Sequence, residues 1–302
     1  MHHHRYRLAV GFLAAPLALY VVFVVSPYLQ AFYISLTNWQ GVGAAPSFVG
    51  LANYAELVRD SDVWGALWHN GILLVTLPVL TIGLALFFAF MLNAGGRLRS
   101  GRSTGVRGSG LYRVVYFFPY VLSIAIIAVL WQFVYNPRIG LLNGVLDSVG
   151  LGSWTRTWLG DPHWALWALL VVLVWNGVGF YVVLFTAGMQ SIPADLYEAV
   201  LLDGAGRVGT FFRLTLPLLW DTVQTSLVYI GISALDAFAV VAIMTQGGPD
   251  GSTEVMSRLL YQTAFRYSQF GYASSMGVLL FFVSIVLAAF TLRFTRRERI
   301  EF

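Results

Sequence analysis

The sequence predicts an all-α integral membrane protein with six transmembrane helices. The 302-residue chain is 58% hydrophobic and only 11% charged, whereas soluble domains usually carry about 25% charged residues. Its apolar residues are grouped in six long runs, and a membrane-spanning helix needs about 20 such residues. Its arginines concentrate in alternate connecting segments, as in polytopic membrane proteins. We therefore treat residues 1–302 as a single transmembrane domain.

Each of the six runs is long enough to cross a bilayer. They lie near Leu8–Ile34, Gly71–Leu92, Val114–Val134, Trp164–Gly188, Thr222–Met244 and Ala273–Leu292. Aromatic residues gather near their ends, which suits an interfacial belt; these are Trp64, Trp68, Trp131, Tyr135, Trp164 and Trp167. Prolines such as Pro78 and Pro119 are tolerable inside a bundle, where neighbouring helices satisfy the freed carbonyls.

The orientation follows from the arginines, since cytoplasmic loops of membrane proteins carry an excess of basic residues. With both termini inside, 13 of the 18 arginines fall on the cytoplasmic side. The reverse topology places those 13 outside. We therefore predict an N-in, C-in arrangement, with the segment 189–221 in the cytoplasm. The glycine- and arginine-rich loop Asn93–Gly110 is then cytoplasmic too, where it contacts anionic headgroups.

Several classes of function are excluded or disfavoured. All basic residues other than histidine are arginine, and a P-loop needs a lysine after its glycines, so the chain has no Walker A site. It has no cysteine, hence no disulfide framework or thiolate metal site. His69 and His163 are isolated near outer span ends, where interfacial anchoring explains both. We expect no catalytic residues and no metal site.

The segment between the fourth and fifth runs, "EAVLLDGAGRVGTFFRLTLPLL" (Glu198–Leu219), predicts two short helices around a glycine turn. Pro193 and Asp195 suit the first turn of a helix. Asp203 and the glycines after it break that helix, and a second helix follows until Pro217. Helices of about ten residues are marginal alone in water. The segment is also acidic, whereas interfacial helices usually carry basic residues, so it is expected to dock onto protein.

This segment resembles the EAA loop of the permease subunits of binding-protein-dependent ABC importers. The matching residues are Glu198, Ala199, Asp203, Gly204, Ala205, Leu216 and Pro217. Val200 and Leu214 depart from the usual Ala and Ile, and both remain apolar. Three further stretches resemble the maltose-type, carbohydrate-uptake branch, so the resemblance covers nearly the whole chain; these are "SIPADLYEA" (Ser191–Ala199), "MTQGGPDGST" (Met244–Thr253) and "FVGLANYAEL" (Phe48–Leu57).

The resemblance implies a type I ABC importer permease fold in a bacterial cytoplasmic membrane. It implies that the loop seats in a cleft of a separate ATPase subunit, with Glu198 on a basic or polar group and Gly204 at the close turn. The partners implied are a second permease subunit, an ATPase dimer and an extracellular solute-binding protein. This chain would bind no cofactor, and ATP and Mg²⁺ would sit on the ATPase.

Polar and aromatic residues within the runs are candidates for the substrate pathway. Asp236, in the fifth run, should face the bundle interior or a water-filled cavity, because an acid near a helix centre costs about 2.5–3.5 kcal/mol on insertion scales. A helix-to-helix hydrogen bond is the competing interpretation. The resemblance places Tyr120, Ser123 and Trp175–Asn176–Gly177 near sugar-lining positions of the branch. Close helix packing is the alternative for Gly177.

Two further interpretations remain open. The first is a secondary transporter of a small polar solute driven by an ion gradient, which would typically show internal repeats and several intramembrane ionisable groups. The second is a passive scaffold or sensor, which would leave the docked cytoplasmic segment unexplained. The sequence does not identify the sugar, its size, or the partner ATPase.

Overall fold

The computed structural model describes most of the chain. The described residues are 12–43, 45–94, 98–99, 102–103, 109–202 and 204–294. Residues 8–11 of the first predicted span, most of the arginine-rich loop, Asp203 and the arginines after Phe294 lie outside them.

Apart from two very short strands, the regular secondary structure of the described residues is helical. The helices are α1 (Phe12–Ile34), α2 (Ala52–Arg59), α3 (Ser61–Ala94), α4 (Ser109–Val121), α5 (Ile124–Val134), α6 (Leu141–Ser148), α7 (Ala165–Ser191), α8 (Ala194–Leu202), α9 (Arg207–Leu218), α10 (Trp220–Leu235), α11 (Phe238–Met244), α12 (Met256–Phe265) and α13 (Phe270–Phe294). A single 3₁₀ turn spans Gly152–Trp154. Strands β1 (Leu98–Arg99) and β2 (Arg102–Ser103) pair antiparallel.

Four of these helices are long and apolar enough to cross a membrane: α1, α3, α7 and α13. Two bent pairs bring the total to six if each pair counts as one span. The pair α4–α5 bends by 105°, and the pair α9–α10 bends by 69°. The all-helical prediction is therefore confirmed, with four to six candidate spans among the described residues. The N-in, C-in orientation stays a prediction.

The chain forms two compact units, of which the first comprises the described residues within 1–64 and 259–283. Its central polar contact is the buried Asn53 amide, which donates to the carbonyls of Ser35 (2.8 Å) and Thr37 (2.9 Å). Beside it, the hydroxyls of Tyr54 and Ser35 share a hydrogen bond of 2.7 Å. The "LANY" stretch therefore fixes the chain that follows α1, which gives its Asn and Tyr a structural role.

The second unit comprises the described residues within 65–258 and 284–302. Its core is built from apolar side chains of α3, α5 and α7; the largest fully buried ones include Leu73, Ile127, Leu169 and Phe185. Tyr135, expected at the interface, is buried in this core instead, and its hydroxyl donates to the carbonyl of Ala168 at 3.1 Å. Both the predicted cytoplasmic loop and most of the pathway candidates are positioned by this unit.

Candidate functional site

The predicted helix–turn–helix is present between α7 and α10. Helix α8 ends at Leu202, and Gly204 takes a backbone φ of +76°, in the left-handed region that glycine adopts without strain. The N–H of Ala205 donates to the carbonyl of Val200 at 3.2 Å, a closure typical of helices that end on glycine. Gly204 thus makes the turn that the sequence assigns to it. Asp203 lies outside the described residues.

The second helix of the loop ends close to the predicted position. Helix α9 ends at Leu218, directly after Pro217. A π-turn at Phe211–Thr215 precedes the proline. Because a π-turn shifts the backbone pairing by one residue, the missing N–H of Pro217 leaves the helix intact. The axis bends only at Leu219, before α10 begins.

The loop is anchored to its own bundle by one side of α9. Phe211 is buried, and its ring lies 4.9 Å from that of Phe90 on α3. The hydroxyls of Tyr197 and the buried Thr215 share a hydrogen bond of 3.2 Å, which ties α8 to α9. Burial raises the pKa of Tyr197, while the Thr215 hydrogen bond lowers it. The phenol is therefore neutral at physiological pH. The stability that the neutral Tyr197 contributes to the loop is lost only as the pH rises into the strongly alkaline range.

The other side of the loop is exposed. Glu198 and Ala199 face outward from α8, and Leu202 is 89% exposed. On α9, Val208 and Phe212 are also exposed, whereas Phe211 and Thr215 on the same helix are buried. We call Glu198, Ala199, Leu202, Val208 and Phe212 the outward face of the loop. Exposed apolar side chains beside a charged residue are typical of protein interaction surfaces.

The first group of pathway candidates surrounds the bend between α4 and α5. Pro119 lies near the end of α4, and Ser123 caps α5, its hydroxyl oxygen accepting from the N–H of Ala125 at 3.4 Å. Tyr120 is half-exposed and stacks on Phe180 of α7, with ring centroids 4.7 Å apart. Serine is a preferred N-cap residue, so Ser123 has a structural role whatever else it contacts.

Asn176 and its neighbours lie at the middle of α7, as predicted. The Asn176 amide donates to the carbonyl of Pro119 at 3.0 Å, so it joins α7 to the end of α4. A Cβ on Gly177 would meet only the Thr81 methyl, at 3.8 Å, which is ordinary contact. A Cβ on Gly179 would instead clash with the backbone carbonyl of Tyr116. The close approach of α4 and α7 therefore requires Gly179, a residue that the sequence analysis did not single out.

Trp175 lies on the same turn of α7. It is 40% exposed, and its ring lies edge-on to Trp131 of α5 at 5.5 Å. Tyr120, Ser123 and Asn176 thus lie around the bend, and Trp175 packs on α5 beyond it.

Asp236 does not lie near a helix centre, contrary to the prediction. Helix α10 ends at Leu235, and Asp236 follows in a non-helical conformation (φ −103°, ψ 50°) before α11 begins at Phe238. The carboxylate is exposed at this break. Among the described residues, no hydrogen bond or ring contact joins Asp236 to Tyr120 or Trp175. No group of three or more His, Asp or Glu residues that could hold a metal ion is found in the part of the chain that the structure describes.

Comparison with known proteins shows which family has this architecture. Residues 70–300 match the family model of the binding-protein-dependent transport system inner membrane component. The chain is 43% identical over 282 residues to the diacetylchitobiose uptake system permease protein NgcF of Streptomyces coelicolor, covering 93% of this chain and 80% of that protein. It is 31% identical over 289 residues to the multiple sugar-binding transport system permease protein MsmF of Streptococcus mutans, covering 95% and 94%.

The fold is shared with a solved transporter. One chain of the bacterial alginate ABC transporter, crystallised with its alginate pentasaccharide-bound periplasmic protein, matches with a TM-score of 0.80 over 98% of this chain and 96% of that chain. The sequence identity is 21%, so this likeness concerns the fold alone.

The apolar helices and the helix–turn–helix between α7 and α10 are the features to which these comparisons apply. The chain belongs to the family of binding-protein-dependent transport system inner membrane components. The resemblance and the importer permease fold expected from the sequence are thereby confirmed, and the ion-gradient alternative is not favoured.

Proposed function

We propose that this chain is the permease subunit of an ATP-driven importer that carries a sugar or sugar-like solute into the cytoplasm. The observation that supports this most directly is the outward face of the loop. A short two-helix segment is anchored to the bundle by Phe211 and Thr215, yet it exposes Glu198, Leu202 and Phe212. In a member of this family, that arrangement suits a segment that receives force from another subunit.

The partners follow from the same loop. One chain has one such loop, so a dimeric ATPase would engage this chain and a second, similar permease subunit. Glu198 would pair with a basic or polar group of the ATPase, Ala199 and Ala205 would pack against it, and Gly204 would allow the turn to enter its cleft. Pro217 would stiffen α9 on the side of the bundle. Asp203 would complete the motif.

The energy source would lie on the partner. The sequence has no lysine, so it cannot form a P-loop. ATP and Mg²⁺ would bind the ATPase subunit, and this chain would bind no cofactor and catalyse no reaction. The cargo would arrive on an extracellular binding protein, and the complex would lie in a bacterial cytoplasmic membrane.

The cargo class rests on the relatives. Both curated relatives described above are sugar uptake permeases by name, and one is 43% identical over most of this chain. We therefore propose a carbohydrate and take diacetylchitobiose as the first probe. The pathway would include Tyr120, Ser123, Trp175 and Asn176 at the bend of the third span, with Asp236 at the break of the fifth. Gly177 would leave open space beside them.

The proposal is tested by reconstitution. The chain is assembled in proteoliposomes with its second permease, ATPase and binding protein from the same source, and uptake of labelled diacetylchitobiose is measured with and without ATP. Maltose and glycerol 3-phosphate serve as probes of other cargo classes. We expect ATP-dependent uptake of a sugar without an ion gradient. Uptake that needs a proton or sodium gradient and no ATP would refute the proposed mechanism, and uptake of only glycerol 3-phosphate would refute the cargo class.

A further inference from the structure

The fifth predicted span is broken within its apolar run. Helix α10 ends at Leu235 and α11 begins at Phe238. The last four carbonyls of an α-helix lack an intrahelical partner. Within the hydrocarbon region no water is available to satisfy them, so non-helical backbone is tolerated there only where protein or a water-filled cavity supplies the missing hydrogen bonds.

The buried side chain of Asn70, on α3, supplies hydrogen bonds to the last carbonyls of α10. Its amide donates to the carbonyl of Ala234 at 3.1 Å and to that of Leu235 at 3.4 Å. Its carbonyl oxygen accepts from the N–H of Met256, at the first residue of α12, at 2.8 Å. Asn70 is 1% exposed. One amide side chain thus caps the end of α10 and the beginning of α12.

A second amide acts at the far end of α11. Gln132, on α5, donates to the carbonyl of Ile243 at 2.7 Å and to that of Met244 at 3.4 Å. Capped carbonyls therefore lie on both sides of the short helix α11. Asn70 caps the carbonyls that precede α11, and Gln132 caps the last carbonyls of α11 itself. Such donors are the reason that a seven-residue helix can persist inside the bundle.

We propose that Asn70 is a positioning residue that holds the fifth span broken and keeps Asp236 exposed at the break. The inference rests on the proposed function only where it places Asp236 in the solute pathway. Without the Asn70 donor, the carbonyls of Ala234 and Leu235 can regain partners only by closing the helix through the break. Asp236 would then belong to a regular helical turn and lose the conformation that the structure shows.

The chain offers a direct probe, because it contains no cysteine. Asp236→Cys introduces the permease's single thiol, and its labelling by a membrane-impermeant maleimide is followed in the assembled complex. We expect Asn70→Leu to slow this labelling by the order of tenfold, a factor in the range expected when buried carbonyls lose their donor. An unchanged rate in assembled complexes would overturn the proposal.

Thr81→Val is the matched control. Thr81 lies on the same helix as Asn70 and is also 1% exposed, but its buried hydroxyl has no hydrogen-bond partner among the described residues. Its replacement by a residue of the same shape is expected to leave the labelling of the cysteine at 236 unchanged. Equal effects of Asn70→Leu and Thr81→Val would assign the change to general loosening of α3 and overturn the specific role of Asn70.

Asn70→Asp covers the case in which the leucine variant fails to assemble. A protonated carboxyl group can donate one hydrogen bond to the carbonyls at the break and accept one from Met256, whereas a carboxylate cannot donate. The uptake of this variant relative to wild type should therefore fall as the pH is raised. The nearby charged or titratable groups, His69, Asp236, Glu254 and Arg258, are shared with wild type, which is the reference at each pH. A constant ratio would overturn the role of the donor, whereas absent ATP-driven uptake in wild type would count against the proposed function instead.

Discussion

Substitution of Gly179 by alanine tests the packing on which the bend of the third span depends. In the structure a Cβ at this position would clash with the carbonyl of Tyr116 and contact the backbone of Phe117. The obstacle is main chain, which cannot rotate away as a flexible side chain would. Overpacking of this kind costs about 1–3 kcal/mol. The gain in helix propensity from Gly to Ala offsets about 0.5–1 kcal/mol of that cost.

The matched control is Gly177→Ala, two residues away on the same helix. Its Cβ would meet only the Thr81 methyl at 3.8 Å, so the propensity gain is not opposed. We expect Gly177→Ala to be neutral or slightly stabilising. Gly179→Ala should lose on the order of 1–2 kcal/mol net, because α4 is pushed from α7 and the hydrogen bond from Asn176 to the Pro119 carbonyl, 3.0 Å in the structure, is stretched.

The assay is the thermal stability of the purified protein in detergent, read as the fraction that remains monodisperse after heating. A loss of 1 kcal/mol lowers the melting temperature of a domain of about 150–250 residues by about 2–4 °C, so a shift of a few degrees is expected here. The two alanine variants should therefore separate clearly, with wild type between them or level with Gly177→Ala. If Gly179→Ala is as stable as Gly177→Ala, the close contact of α4 and α7 is not as described here.

Three further predictions concern single side chains. Glu198→Arg should abolish uptake while the protein still reaches the membrane and assembles, and wild-type uptake by this variant would contradict the coupling role of the loop. Tyr197→Phe should lower thermal stability by roughly 1 kcal/mol, because it removes the hydrogen bond shared with the buried Thr215; no change would show that this bond does not tie α8 to α9. Asp236→Ala should change the substrate concentration needed for half-maximal uptake more than the yield of assembled complex, and unchanged transport constants would count against a pathway role.

The sequence predicts the helices well because hydrophobic length is a local property. The apolar run around Gly71–Leu92 lies within α3, which extends beyond both of its ends, and the run around Trp164–Gly188 corresponds to α7, which extends past its C-terminal end. The glycine turn between α8 and α9 was also predictable, since Asp203–Gly204 breaks a helix by its own chemistry. The π-helical segment Phe211–Thr215 was not, because it leaves no mark in residue propensities.

The breaks within the spans are where local reasoning fails. Asp236 lies in an uninterrupted apolar run, and nothing near it in the sequence signals a turn. The cause is Asn70, which lies 164 residues before Ala234, whose carbonyl it caps. In the same way, Gly177 and Gly179 are equivalent in sequence, and only the backbone of α4 distinguishes them. The sequence thus identifies polar residues inside spans, whereas their partners depend on tertiary packing.

Cross-linking at Leu202 shows whether the outward face of the loop seats on an ATPase subunit. Because the native chain has no cysteine, Leu202→Cys can carry a photoactivatable maleimide at a unique position that is 89% exposed. Leu219→Cys, where leucine is 2% exposed, is the buried control. We expect a covalent adduct with the ATPase subunit from position 202 and none from position 219. If a complex hydrolyses ATP and transports sugar but gives no ATPase adduct from position 202, the loop does not seat on the ATPase.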